Sequence, residues 1–277
     1  MKSENNQEMV CLPDNITQHP CFSEKAAGKY GRIHLAVAPE CNIQCNFCIR
    51  KFDCVNESRP GVTSKVISPA EALLKIDEIM DVENPNSVVG IAGPGEPLFN
   101  AETFETIRIV GEKYPKFHYC LSSNGLLLPE KIHELKKLNI SNITVTLNTL
   151  DPATGAEIYS HIKFHGQTYS GIKGAEILLE NQLEGIRMAI SEGMTVKVNT
   201  VLIKSINLHQ AGEIAEKVSK MGVYLQNLMP VIPQFKFNES HRPDHDELRK
   251  VREECARFVT QMRHCKQCRS DAIGKLC

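Results

Sequence analysis

The sequence predicts an α/β fold built on a parallel sheet, and three observations carry that prediction. Apolar runs of strand length alternate with amphipathic helical stretches along most of the chain. The alternation repeats six times, and repeated strand–helix units place helices outside a parallel sheet. The length, 277 residues, suits a single α/β barrel-type domain.

The first strand is expected at about 32–38, and the first helix runs from a cap-like Ser68-Pro69 to about 82. The second unit pairs a strand at about 87–92 with a helix at about 101–113, and the third a strand at about 116–122 with a helix at about 129–138. The fourth strand, about 142–148, is followed by a loop and a helix at about 171–192. A fifth strand at about 194–203 precedes a helix at about 208–221; a sixth at about 222–229 precedes a last helix at about 244–263.

Lys plus Arg number 32 and Asp plus Glu 33, for a net charge of −1. This balance points to neither nucleic acid nor an anionic membrane as partner. No uninterrupted apolar stretch approaches the roughly 18 residues of a membrane-spanning helix. The N-terminus, Met-Lys-Ser-Glu-Asn-Asn-Gln, lacks the apolar core of a signal peptide. A cytoplasmic location is expected. In that reducing compartment, 11 cysteines are better explained by metal ligation than by disulfides.

Three of them follow the first strand in Cys41-Asn-Ile-Gln-Cys45-Asn-Phe47-Cys48. Sites in parallel α/β folds gather at the carboxyl ends of strands, where this loop falls. Three thiolates this close can hold three irons of a cubane 4Fe–4S cluster and leave the fourth open to a small molecule; a purely structural cluster takes four cysteines. A zinc knuckle is the competing reading, but zinc sites favour two spaced pairs and no second pair lies nearby.

This spacing, with the aromatic Phe47 before the last cysteine, resembles the radical S-adenosylmethionine (SAM) superfamily. The resemblance implies a partial (β/α)6 TIM-type barrel with a lateral opening, in keeping with six units where a complete barrel has eight. It also implies that SAM chelates the open iron and is cleaved reductively to a 5′-deoxyadenosyl radical. Gly93-Pro94-Gly95-Glu96-Pro97 after the second strand resembles the superfamily's GGE motif, which binds the methionyl amine; Pro94 replaces one glycine. Alone, the segment also reads as a strand-to-helix turn whose glycines admit close backbone approach. Ser122-Ser123-Asn124-Gly125 offers hydroxyl and amide groups for ribose and carboxylate, or an ordinary Asn-Gly turn. Asn199 lies in an apolar run and needs a partner if buried; superfamily members use such a position for SAM. Met229 matches positions that contact adenine, against a default of core packing.

Along the first strand, Ile33, Leu35 and Val37 share one face and His34, Ala36 and Ala38 the other. His34 is expected to point inward, as a ligand or as a hydrogen-bonded core histidine. Cys120 shares a face with His118 and Ser122 and is expected inside the barrel, near the same site or as a small buried hydrophobe. Cys265-Lys-Gln-Cys268 has the spacing of a ligand pair.

Longer segments narrow the family. His19-Pro20-Cys21-Phe22-Ser23, the run from Arg32 to Cys48, Cys54-Val-Asn56-Glu57-Ser58-Arg59-Pro60-Gly61, Ala92–Pro97, and Met262 through Ala272 resemble the NifB family. Its members are radical SAM maturases that make the precursor of the nitrogenase cofactor. The resemblance implies the catalytic set Cys41, Cys45, Cys48 and His34. It implies two further 4Fe–4S clusters, one on Cys21, Cys54, Cys120 and His34, the other on Cys265, Cys268 and an open third ligand. Cys255 and Cys277 are candidates for that ligand, and Cys11 is unassigned. Methyl transfer from SAM, hydrogen abstraction and sulfur addition would fuse the two clusters into an eight-iron core with a central carbide. The partners implied are an iron–sulfur cluster donor, an electron donor such as ferredoxin, and a scaffold or carrier protein. On this reading, 1–30 is an extension bearing a cluster ligand, 31–263 the barrel, and 264–277 a tail closing the cluster site. The chain is expected to be the minimal form, without a NifX-like domain. Glu57 and Arg59 are candidates for proton handling or for a salt-bridged loop. Rival readings are another radical SAM maturase with auxiliary clusters, an iron–sulfur scaffold, and a zinc-stabilised barrel.

Overall fold

The computed structural model describes residues 12–51, 53–56, 65–80 and 86–276. Two short helices, α1 (Asp14–Thr17) and α2 (Glu24–Ala27), precede β1 (Gly31–His34), and β2 (Ile43–Cys45) lies in the cysteine loop. There follow α3 (Pro69–Met80), β3 (Asn86–Ile91), α4 (Ala101–Lys113), β4 (His118–Ser123), α5 (Leu128–Lys137) and β5 (Ile140–Thr146). The second half contains α6 (Pro152–Ile158), β6 (Tyr159–Phe164), β7 (Gln167–Tyr169), α7 (Gly171–Ser191), β8 (Thr195–Leu202), α8 (Ala211–Lys220), β9 (Leu225–Pro230), α9 (His245–Cys255) and β10 (Ile273–Lys275).

The main sheet has the order β10-β1-β3-β4-β5-β8-β9. From β1 to β9 every neighbouring pair is parallel and the order follows the chain. The sheet therefore winds in one direction, as a barrel does, and β1 and β9 remain apart. The result is the predicted six-stranded half-barrel, with β10 added antiparallel along β1. Side chains alternate through it. Ile33, Val89, Tyr119, Leu121, Ile143, Val145, Val196 and Val198 face the helices and share one buried cluster with Ile76, Ile107, Ile132 and Ile186. The residues between them (His34, Gly90, Cys120, Ser122, Thr144, Lys197 and Asn199) line a cavity on the concave side. Strand register stacks them in layers: His34, Gly90 and Cys120 form one row, and Ser122, Thr144 and Lys197 the next. Among the described residues, no helix is long and apolar enough to cross a membrane.

Three stretches depart from the sequence expectation. The loop expected after the fourth strand contains α6 and a β6–β7 hairpin. Asp151 caps α6 by accepting from the Ala153 and Thr154 N–H groups at 3.1 and 3.0 Å, with Pro152 opening the helix. β6 then pairs with β2, so a small three-stranded sheet fixes the cysteine loop. The last helix ends at Cys255 instead of near 263, because the chain turns back along β9: the Met262 N–H donates to Gln226 O at 2.7 Å. The first strand leaves the ladder after His34, where a tight turn from the Val37 N–H to Leu35 O interrupts it.

Segments before β1 and after α9 dock on the sheet. Asn15 donates to Thr195 Oγ1 at 3.0 Å, and its carbonyl accepts from the Asn142 amide at 3.1 Å, which seats the N-terminal extension at the amino ends of β5 and β8. The C-terminal tail is stitched to β1. Arg32, 6% exposed, donates to the Gly274 carbonyl, to the Lys275 carbonyl at 3.0 Å and to Cys268 Sγ at 2.9 Å. Buried Asp53 accepts from the Ser270 hydroxyl at 3.0 Å and its N–H at 3.3 Å. Arg32→Met removes the three guanidinium contacts and weakens tail docking by about 2 kcal/mol. Amide exchange over 272–276 should accelerate roughly tenfold or more while core amides keep their rates; unchanged tail exchange would contradict this.

Candidate active site

Two adjoining cavities occupy the concave side, and Ser122 lines both. The upper one, about 370 Å³ including open solvent, lies where Cys41, Cys45 and Cys48 meet Gly95, Glu96 and Asn124. The cysteine loop is held from within and without. The Gln44 amide donates to the Cys45 and Cys48 carbonyls at 2.8 Å each, and the Asn46 N–H reaches Ile158 O at 2.8 Å. Phe47 is fully buried and packs with Ile43, Cys45, Cys48 and Met229 in one cluster.

The turn after β3 is zipped to the start of this loop. The Gly95 N–H donates to Ala38 O at 2.5 Å, and the Glu96 N–H to Glu40 O at 2.7 Å. A Cβ at Gly95 would overlap the Glu40 carbonyl oxygen and lie 2.8 Å from Ala38 O, so only glycine permits this approach. The Glu96 carboxylate accepts from the Ser123 hydroxyl at 2.7 Å, the Asn124 N–H at 2.7 Å and the Leu98 N–H at 3.1 Å. Burial pushes its pKa up to about 7, against the pull of those hydrogen bonds. The Asn124 amide donates to Asn42 Oδ1 at 2.7 Å and lies 3.9 Å from Cys41 Sγ. Burial also raises the three thiols, Cys41 to about 11. Arg50, 3.9 Å from Cys48 Sγ, opposes that rise at Cys41 and Cys48. Metal uptake there releases protons.

The lower cavity, about 580 Å³ including open solvent, gathers Cys21, His34, Cys120, Cys265 and Cys268. A Cβ at Gly90 would lie 3.1 Å from both Cys120 Sγ and His34 Cδ2. Glycine at that position leaves a gap between the two ligand-type side chains. His34 Nδ1 donates its proton to the Arg269 carbonyl at 3.1 Å, which leaves Nε2 with the lone pair. Burial, then the Arg32 charge, lower the His34 pKa to about 4, so the ring is neutral. A ring N–H fixed on a carbonyl, with the second nitrogen free, is the arrangement of a metal-ligating imidazole. Burial raises Cys21 to about 11, and Lys197 opposes it. Among the described residues, no trio of His, Cys, Asp or Glu converges on a point as a single ion requires. Four thiols and two imidazoles, those of His19 and His34, line this cavity, donors of the kind that iron–sulfur groups take.

One residue expected with the lower group lines the adjoining cavity instead. Cys54 lines the upper cavity with the triad, apart from Cys21, His34 and Cys120. Asp53, beside it, accepts from Ser270, and Asn56 Nδ2 lies 3.6 Å from both Cys45 Sγ and Cys54 Sγ. Cys265 and Cys268, expected to hold a second group, line the lower cavity beside Cys21, His34 and Cys120. Cys255 is fully buried in the helix–sheet core and lines neither cavity, so it is no third ligand. Asn199 lines the lower cavity, donating to Asn56 O at 3.0 Å and accepting from Asn227 at 3.2 Å. Gly93 sits in the turn beside Gly95, and its carbonyl accepts from the Ala38 N–H. Cys11, Glu57, Arg59 and Cys277 lie outside the described residues. Sequence reasoning overlooked Arg50, Gly90 and Lys197; for Lys197 the signal was a charge at an inward-facing strand position.

Comparison with known proteins agrees with this architecture. A family model for the radical SAM superfamily matches residues 35–218. The FeMo cofactor biosynthesis protein NifB of Methanocaldococcus jannaschii is 46% identical over 260 residues, 92% of this chain and 85% of that protein. The chain belongs to the NifB family. The protein of the same name from Chlorobaculum tepidum is 45% identical over 94% of this chain, and that from Klebsiella pneumoniae 43% over 96%. Against those two, this NifB-family chain spans 62% and 58% of the relative's length. A radical SAM methyltransferase from Sphaerobacter thermophilus has the same fold, with a TM-score of 0.56 at 16% identity over 84% of this chain and 64% of that one. Superfamily membership implies a 4Fe–4S cluster and SAM, and the upper cavity offers the residues for both.

Proposed function

We propose that this NifB-family chain joins two 4Fe–4S clusters, its substrates, into the eight-iron, carbide-centred precursor of the nitrogenase cofactor. One observation carries the reading: four cysteines and two histidines line a cavity that meets the triad cavity at Ser122. The resident cluster on Cys41, Cys45 and Cys48 supplies, when bound, the electron that splits SAM. The chain's own part begins with Glu96, whose carboxylate is aligned by Ser123, Asn124 and Leu98 to accept from the SAM amine. Asn124 and Ser122 offer further polar contacts beside it. Ser122 marks the passage to the substrate clusters, which Cys21, His34, Cys120, Cys265 and Cys268 would hold, with Cys54 reaching them from the adjoining cavity. One SAM gives its methyl group to a cluster sulfide, leaving S-adenosylhomocysteine. A second yields methionine and 5′-deoxyadenosine as a hydrogen atom leaves that methyl. The two remaining hydrogens leave as protons, their electron pairs staying on the carbon as it bonds to iron; one sulfide from the iron–sulfur donor is added, and the product passes to a scaffold or carrier. An iron–sulfur donor and a ferredoxin-type reductant would serve the cycle from the cytoplasm.

Product release explains the mixed ligands. A neutral imidazole holds iron less firmly than a thiolate, so His34 makes its cluster easier to surrender. Two measurements test the whole reading. Anaerobic reconstitution should give about twelve irons per chain, four for each cubane; about four would reduce the protein to a simple radical SAM enzyme. Methyl-labelled SAM in single turnover should leave label in an extractable iron–sulfur product together with deoxyadenosine. His34→Cys should keep the iron content and slow product formation about tenfold; wild-type turnover in that variant would remove the release argument.

A further inference from the structure

Lys197 has no role in the chemistry above, and its setting is unusual. It is 6% exposed, lines the lower cavity, and sits in the layer with Thr144 and Ser122, directly above the row of His34 and Cys120. Among the described residues, no carboxylate lines this cavity and none lies within ion-pair distance of Lys197. Its ammonium stands 5.3 Å from the Phe22 ring centre. That contact is a modest return for a buried charge, which is costly without a partner. Of the other cations nearby, Arg32 already holds Cys268 and two tail carbonyls, and Lys266, on the cavity wall, has a contact of its own. A second observation is independent. His19 is 1% exposed, accepts the Cys21 N–H on Nδ1 at 3.1 Å, and therefore carries its proton on Nε2. That Nε2 is buried, lines the same cavity through its ring, and has no hydrogen-bond partner; the Gln267 amide nitrogen on the cavity wall is orphaned likewise. A buried lysine and two residues with unused N–H donors line one space, to which no carboxylate among the described residues contributes.

We propose that Lys197, with His19 and Gln267, forms an electrostatic clamp for an anionic iron–sulfur cluster in the lower cavity, Lys197 being the counter-charge that sets its reduction potential. The inference rests on the proposed use of that cavity for substrate clusters. Thiolate-ligated cubanes carry net negative charge and expose sulfides that accept hydrogen bonds, and donors to those sulfides raise the potential. Lys197 is a positioning residue in this role, acting on the cluster through charge and without ligating it.

The test uses the full chain, anaerobically reconstituted with iron and sulfide, as wild type, Lys197→Met, Lys197→Gln and Lys197→Arg. Iron content and EPR-monitored redox titration are read for each, with thermal unfolding of the metal-free forms. The neutral variants should titrate their lower-cavity cluster at a more negative potential and lose part of its iron. The signal of the triad cluster, in the cavity that Lys197 does not line, should stay unchanged, and Lys197→Arg should restore most of the potential. Metal-free Lys197→Met should unfold at a higher temperature than wild type, since it removes an unpaired buried charge; a structural lysine would give the opposite sign. Wild-type iron content and potential in both neutral variants, or a destabilised metal-free Lys197→Met, would overturn the clamp. Only about four irons in wild type would overturn the proposed function, and the clamp with it.

Discussion

Gly95→Ala should abolish SAM cleavage while leaving the helices and most of the sheet folded. The new methyl group would overlap the Glu40 carbonyl oxygen and lie 2.8 Å from that of Ala38, and both are backbone atoms that cannot rotate away. The turn must retreat from the cysteine loop, breaking the bonds from Gly95 N–H to Ala38 O and from Glu96 N–H to Glu40 O. Asn100 would also lose its bridge, since its amide donates to both Glu40 O at 2.9 Å and Glu96 O at 2.8 Å. Such a forced displacement costs about 3–5 kcal/mol, and it moves Glu96 relative to the thiols. Displacements of about 1 Å can cost a hundredfold in rate, and here both the binding carboxylate and the cluster loop shift. Deoxyadenosine formation should therefore drop by roughly a thousandfold or more. Gly28→Ala is the control. Gly28 sits at a helix end with φ −88° and has nothing within 4 Å of its missing Cβ, so stability should change by less than about 0.5 kcal/mol. SAM turnover near the wild-type level in Gly95→Ala would show that this close approach is dispensable.

The contrast between what was legible in the sequence and what was not follows from the range of the interactions involved. Strand parity alone put His34 and Cys120 on the concave side, because alternation is local. The half-barrel was legible for the same reason: six apolar runs separated by helices leave few alternatives. Cys54 was not legible. The segment that carries it is tied down by a distant contact, Asp53 with Ser270, 217 positions away. The β6–β7 hairpin was missed because its sheet partner is β2, in the cysteine loop more than a hundred residues earlier. Gly90 has meaning only through register, since its neighbours His34 and Cys120 lie on two different strands. Lys197 carried a local signal, a charge in an inward position. Its consequence needed the lower cavity, with its thiols and without a carboxylate, to be assembled first.

Lowering the pH from about 8 to 6 should weaken SAM binding to the reconstituted protein about tenfold while making the metal-free fold more stable through the same side chain. Both effects follow from Glu96, whose pKa is raised to about 7 by burial. An ionised carboxylate has about four acceptor sites. Ser123 and Leu98 use two on Oε1 and Asn124 uses one on Oε2, which leaves one for the amine of SAM. Protonation converts that site into a donor, so affinity is full above about 7 and falls by up to tenfold per unit below it. For folding the sign is reversed. The folded pKa lies above the ordinary value of 4.5. The contribution of Glu96 to stability is therefore fully present below about 4.5 and is lost as the pH rises through about 7. The difference between those values corresponds to at most about 3 kcal/mol. Glu96→Gln separates the two effects from other titrating groups. Its SAM affinity should be weak and flat with pH, and its metal-free melting temperature should lose the part of the pH slope that Glu96 supplies. Opposite slopes for binding and stability, both absent in the variant, tie them to one carboxyl group. A wild-type affinity that stays constant from pH 8 to 6 would mean that SAM does not use the Glu96 acceptor site.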